Sequence, residues 1–377
     1  MNNHNITEIR ASLGLWLVCG LICSKLVKVL SESTTRFDPK PRSAVTKTLP
    51  HLCTLSGILC SLLLSVSHSV SYADPIGRQP SSALDVHAPS ARVTGEPGQM
   101  IYTHRACSPR DIDDLRTRIV NVAAQEWGFF GMSVLDLTHT RVSNADFRAQ
   151  PWRRTLIAPD EAQRVASSIA GYWSSTPDSA WILEIQNESW KSNGPGSRWR
   201  NPWSAAFISW VMCESGLGDN QRFQRAIAHH SYIDQAILAS MQAESESAYR
   251  AFNPGEQTIL PGDLLCRGSR PSYRSIAERR EQLGMGARSH CDIVVAIEEQ
   301  KRRILLIGGN VRSWVRLKIL PGQFNENGLF EPEPYNNRRI FAHLQLQARP
   351  VNNEALFNSP TLRQFDCSGS ELPSILC

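Results

Sequence analysis

The 377-residue chain reads as an α+β protein, with helices first and an antiparallel sheet after them. Apolar residues recur at helical spacing in several segments before Pro261. After Pro261-Gly262 the pattern changes to short runs rich in Val, Ile and Leu, of strand length. Neither end of the chain carries a comparable period, so one globular domain of intermediate size is expected between them.

Ser108-Pro109-Arg110-Asp111 predicts the first helix start, with Ser108 as cap, Pro109 at the first helical position and Asp111 reaching back to free donors. Ile112, Leu115, Ile119, Val122 and Ala123 then form its apolar stripe, and Trp127-Gly128 ends it. Glu126 on the last turn is expected to be a solvated charge. A second helix is expected after Asp160, carrying Val165, Ile169 and Tyr172. A third begins at Ser204 and stops at Gly216, and a fourth runs from about Gln221 to Gln242. Strands are expected over 263–266, 290–298, 303–307, 314–319 and 339–346. The resulting organisation is an upstream segment and signal peptide over 1–73, a linker over 74–105, the α+β domain over 106–347 and a C-terminal tail over 348–377.

The upstream segment has the order of a secretory signal. Lys47 precedes an apolar run from Leu52 to Val66, and Ser71-Tyr72-Ala73 precedes Asp74, so Ala73 is the expected cleavage position. A start at Val45 would give a signal peptide of ordinary length. Leu13 to Cys23 is also apolar but is interrupted by Lys25 and Lys28, which makes it at most a marginal membrane anchor. Export to the periplasm or beyond gives Cys107, Cys213, Cys266, Cys291, Cys367 and Cys377 the character of disulfide partners, with the pairing left open. No CxxC and no HExxH occurs, so neither a metal nor another cofactor is expected. The net charge of +5 is spread out and gives no case for nucleic-acid binding.

Three residue types needed for nucleophilic acyl transfer appear in order. Ser204 opens an apolar helix after Pro202-Trp203, where free backbone N–H groups could stabilise an oxyanion. Serine is also a favoured helix cap, which is the ordinary reading of the same residue. His290 begins a strand, and Gly308-Gly309-Asn310 ends the next one. A hairpin through Glu299-Gln300-Lys301 returns Asn310 to the end of the sheet that holds His290. Ser204 is thus the candidate nucleophile, His290 the base and Asn310 its orienter, with Asp292 as the alternative orienter. Strand alternation places His290, Asp292 and Val294 on one face and Cys291, Ile293 and Val295 on the other.

The blocks Pro202-Trp203-Ser204-Ala205-Ala206-Phe207-Ile208-Ser209-Trp210, Pro261-Gly262-Asp263-Leu264-Leu265, His290-Cys291-Asp292-Ile293-Val294-Val295 and Gly308-Gly309-Asn310 resemble, in that order, the NlpC-type and CHAP-type amidases of the papain-like superfamily. From Cys107 to about Leu346 the chain also resembles the bacterial family named domain of unknown function 2272. The first resemblance implies a papain-like fold, helices packed on an antiparallel sheet, and action on an amide of peptidoglycan or a related peptide. Ser204 stands where the amidases carry cysteine. A serine hydroxyl stays protonated at rest and must lose its proton during attack, so the same groove also suits a non-catalytic wall-binding module. A disulfide-stapled interaction protein or toxin-like factor is a third reading.

Trp173, Trp181, Trp190, Trp199, Trp203 and Trp210 crowd the approach to Ser204. Trp199 and Trp203 are candidates to contact substrate, with core packing as the ordinary fate of such residues. In His229-His230, a stripe of Ile227, His230 and Ile233 would turn His230 inward, toward the groove. Arg267, Arg270, Arg274, Arg279, Arg280 and Arg288 lie between Cys266 and His290 with few acidic residues, and a basic loop there favours an anionic partner such as the carboxylates of wall peptides. No oligomeric state is implied.

Overall fold

The computed structural model describes residues 76–138, 157–335 and 338–365. The expected signal peptide and anchor, and the cysteines at 367 and 377, lie outside them. Among the described residues, no helix is long and apolar enough to cross a membrane.

The protein is a mixed α+β structure, as its pattern predicts. Strands β1 (Val93–Thr94) and β2 (Ile101–Tyr102) form a separate antiparallel pair. Strands β4 (Tyr249–Phe252), β5 (Leu264–Arg270), β6 (Arg288–Glu298), β7 (Arg303–Val311), β8 (Trp314–Phe324) and β10 (Ile340–Leu346) make the body of the main sheet. Its order is β3-β8-β7-β6-β5-β10-β4, where β3 is Val134–Asp136, and β9 (Phe330–Pro332) adds to β8. The pairings are antiparallel except for β3 on β8, which runs parallel. β3, β4 and β9 go beyond the predicted strands.

The helices are α1 (Leu115–Phe129), α2 (Pro159–Arg164), α3 (Ala166–Ser174), α4 (Ala180–Asn193), α5 (Ser204–Glu214) and α6 (His230–Ser240), followed by the short α7 (Ile276–Arg280) and α8 (Pro360–Arg363). Every residue of α5 is buried, which explains its nearly unbroken apolar sequence. It ends as expected, with Gly216 at φ +94° and the Leu217 N–H donating to the Met212 carbonyl. The main core lies between the helices and one sheet face and gathers Trp127, Tyr172, Trp203, Phe207 and Trp210 with Cys291, Ile293, Val295 and Leu317. On the opposite face Leu265, Val294, Leu306 and Leu320 form a smaller cluster. The predicted alternation along β6 is therefore present.

Two helix boundaries differ from expectation. The first helix starts at Leu115 rather than at Pro109 because 107–110 is held across the end of α5: Cys107 is bonded to Cys213, and the Arg110 N–H donates to the Gly216 carbonyl. The fourth starts at His230 rather than near Gln221. The chain before it is tied elsewhere, with the Ala226 N–H on Ser209 Oγ and the Arg222 carbonyl taken by Ala248.

The stretch expected as a linker is packed. Arg92 is buried with Glu214 at 2.5 Å, and Arg78 pairs with fully buried Glu126 at 2.6 Å. Tyr172 donates to the same carboxylate. Glu126 is thus a buried ion-pair acceptor, not the solvated charge that its helix position suggests. Gly171 brings α3 so close to Pro89 that a Cβ there would lie 1.8 Å from the Pro89 carbonyl oxygen. Part of the expected tail packs as well, with Ala355, Leu356 and Leu362 in the main core.

Candidate active site

Ser204 occupies the first turn of α5, where backbone N–H groups lack intrahelical acceptors. Its side chain caps nothing; instead Oγ lies 2.6 Å from His229 Nε2. This departs from the expected Ser204–His290 pair. It follows from where α6 begins: His229 immediately precedes the helix and turns inward, so the helical stripe that pointed His230 toward the groove does not apply. His230 is half-buried and lines a separate cavity with Gln224, Asp234, Gln235 and Leu238, at which Ser204 has no wall.

Two donors meet His229 Nδ1. One is the Tyr232 hydroxyl and the other the Cys291 N–H, at 3.2 Å. Cys291 is free to give this bond because β7 pairs with β6 only from Ile293 onward. A backbone N–H can only donate, so Nδ1 accepts and the proton of the neutral ring sits on Nε2, aimed at Ser204 Oγ. Burial keeps the ring neutral, pushing its pKa well below the usual histidine range, and the neighbouring His290 adds to the effect. Burial, with Asp292 nearby, raises the Tyr232 pKa, so its hydroxyl stays protonated.

His290 has a different arrangement. Its Nε2 lies 2.9 Å from Asp292 Oδ1, and Lys318 Nζ bonds the other carboxylate oxygen. Burial raises the pKa of Asp292, but His290 and Lys318 outweigh it and hold the carboxyl well below its usual range. An ionised carboxylate only accepts, so Nε2 carries the proton and Nδ1 keeps its lone pair. Among the described residues nothing is hydrogen-bonded to that nitrogen. Burial brings the His290 pKa down to about 4, against the opposing pull of Asp292. The His229 and His290 rings meet edge to face with centres 5.2 Å apart.

The Gly-Gly step makes room for this cluster. A Cβ on Gly308 would lie 1.9 Å from Asp292 Oδ1, and one on Gly309 would lie 2.4 Å from Phe207 Cβ. Asn310 follows at φ +54° where the β7–β8 register breaks, just before a two-residue turn at Arg312 and Ser313. The carboxylate of Asp292 fills the orienting position at His290 that Asn310 was expected to take.

Trp203 is 1% exposed and packs against Phe130 and Tyr172, so it belongs to the core. Trp199 is partly buried, edge to face with Trp190. Cys291 is joined to Cys266 directly across the β5–β6 pair, which excludes it as a free thiol. Sequence reasoning chose His230 where the structure brings His229 to Ser204, and it missed Tyr232 and Lys318. Lys318 had a visible signal: Val315, Leu317 and Ile319 alternate with Arg316 and Lys318, so a charge was due on the face of Asp292.

Among the described residues no group of three or more His, Cys, Asp or Glu side chains is placed to hold a metal ion. The arrangement offers a polar hydroxyl at a helix mouth, a ring that donates to it, and a second ring with a free lone pair held by a carboxylate. Residues 160–341, which include all of these groups, match the model of a family described as uncharacterized protein conserved in bacteria (DUF2272). No curated protein matches the chain, and no solved structure does.

Proposed function

We propose that the domain is an exported amide hydrolase on a papain-like scaffold, acting on peptidoglycan or a related peptide. In this reading Ser204 Oγ attacks the amide carbonyl while its proton passes to His290 Nδ1, with Asp292 steadying the imidazolium that forms. The N–H groups at the mouth of α5 bind the oxyanion. The C–N bond then breaks, His290 returns the proton to the leaving amine, and water releases the acyl group from Ser204. His229 donates to Oγ, which holds the serine rotamer and favours the developing alkoxide. The contact between the two rings supports this reading: the His290 ring, with its Nδ1 lone pair, lies beside the His229 ring that is hydrogen-bonded to Ser204. Two disulfides among the described cysteines fit an oxidising compartment.

One observation favours a second reading, a wall-binding module. Ser204 receives a hydrogen bond from His229 at rest rather than giving up its proton to it. Release of fragments from purified peptidoglycan separates the two. The hydrolase reading expects no release from Ser204→Ala and a rate about 10²–10⁴-fold lower for His290→Ala. Equal release from wild type and Ser204→Ala, or release from neither, removes it.

A further inference from the structure

Arg267 stands on β5 directly opposite His290 on β6, so the two side chains leave the same face of the sheet. Its charge reaches both histidines of the site. Yet it has no acidic partner among the described residues: Nη1 donates to Ser269 Oγ at 3.1 Å, and Nε is buried without an acceptor. The nearby carboxylates are committed. Asp292 serves His290 and Lys318, Asp234 serves Arg279, and Glu278 serves Arg274. Arg267 thus differs from Arg274 and Arg279 in the same basic loop, which have partners in the fold.

We propose that Arg267 anchors a carboxylate of the ligand, so that the chain lying over Ser204 is an acidic or free-acid peptide. A half-buried guanidinium with no carboxylate beside it suits a ligand carboxylate, which it can hold through a charge-assisted bond. Arg270 and Arg288, facing each other farther along the same strand pair, are exposed and extend the positive field that draws an anion in. The inference rests on the reading of the Ser204 cleft as the substrate site and names the substrate class.

The test uses muropeptides released from peptidoglycan, native and with their carboxylates amidated, and measures binding and cleavage by the intact exported protein. Native muropeptides are expected to bind, and Arg267→Gln to weaken them about ten- to a hundredfold, the range for a charge-assisted bond. Arg267→Lys is expected to restore part of the loss, and Arg274→Gln to change nothing. Amidated muropeptides should bind weakly and be indifferent to Arg267→Gln. Carboxylate-selective, Arg267-dependent binding without any cleavage upholds the anchor while removing the hydrolase. Equal binding of native and amidated forms, binding of neither, or equal losses for Arg267→Gln and Arg274→Gln at unchanged thermal midpoints overturns the anchor.

Discussion

His290 is the residue whose environment makes the sharpest demand. Its ordinary pKa of 6.5 drops to about 4 in the fold, with burial as the main cause. Between those values the unfolded chain binds more protons than the folded one, so stability rises with pH across that window. It is fully present above about 6.5 and is lost as the pH falls toward 4, with His229 acting in the same direction. The thermal midpoint should fall from pH 7 to pH 4, and the fall should be smaller in His290→Gln; identical pH dependence in both proteins would contradict burial of a neutral ring. At this scale the sequence was legible where alternation decides and illegible where a boundary decides. The face shared by His290 and Asp292 follows from strand period alone. The partner of Ser204 does not, because which of His229 and His230 turns inward depends on a helix start set by the Ser209–Ala226 bond, a tertiary contact.

Among the elements, the strand pair β6–β7 and the helix α5 fix the site together. Gly308 and Gly309 stand where a side chain would strike Asp292 and Phe207 respectively. Gly308→Ala should therefore displace the Asp292 carboxylate and its bonds to His290 and Lys318, at a cost of about 2 kcal/mol, in the range of overpacking a filled interior. Denaturant unfolding measures it, and a variant as stable as wild type would show that the carboxylate moves freely. The Gly-Gly-Asn block was visible in the sequence as a motif, but its physical purpose was not. The glycines are needed for their missing side chains, and the polar residue after them sits in a bend leading to the next hairpin. The four predicted helices and all five predicted strands were readable from period, but the 14-residue helix α4 and the strand β4 were not. The β3 and β9 segments, each three residues long, are too short for a period to show.

For the whole molecule, the boundary between domain and linker was the main misreading. Composition places 74–105 among flexible segments, but isolated charges in such a segment can be half of a buried pair whose other half lies far along the chain. Arg78 and Arg92 meet Glu126 and Glu214 in this way, and Cys107 joins Cys213 across 106 positions. These ties lock the front of the chain over α1, α3 and the end of α5, and hold the helix that presents Ser204 against the sheet that presents His290. The central claim is that this hydroxyl is a nucleophile. It is tested most directly by exposing the folded protein to a serine-directed fluorophosphonate and locating the adduct by peptide mass spectrometry. The account predicts one adduct, on Ser204, absent from Ser204→Ala and strongly slowed in His290→Ala. An unlabelled Ser204, or labelling at the same rate without His290, would contradict it.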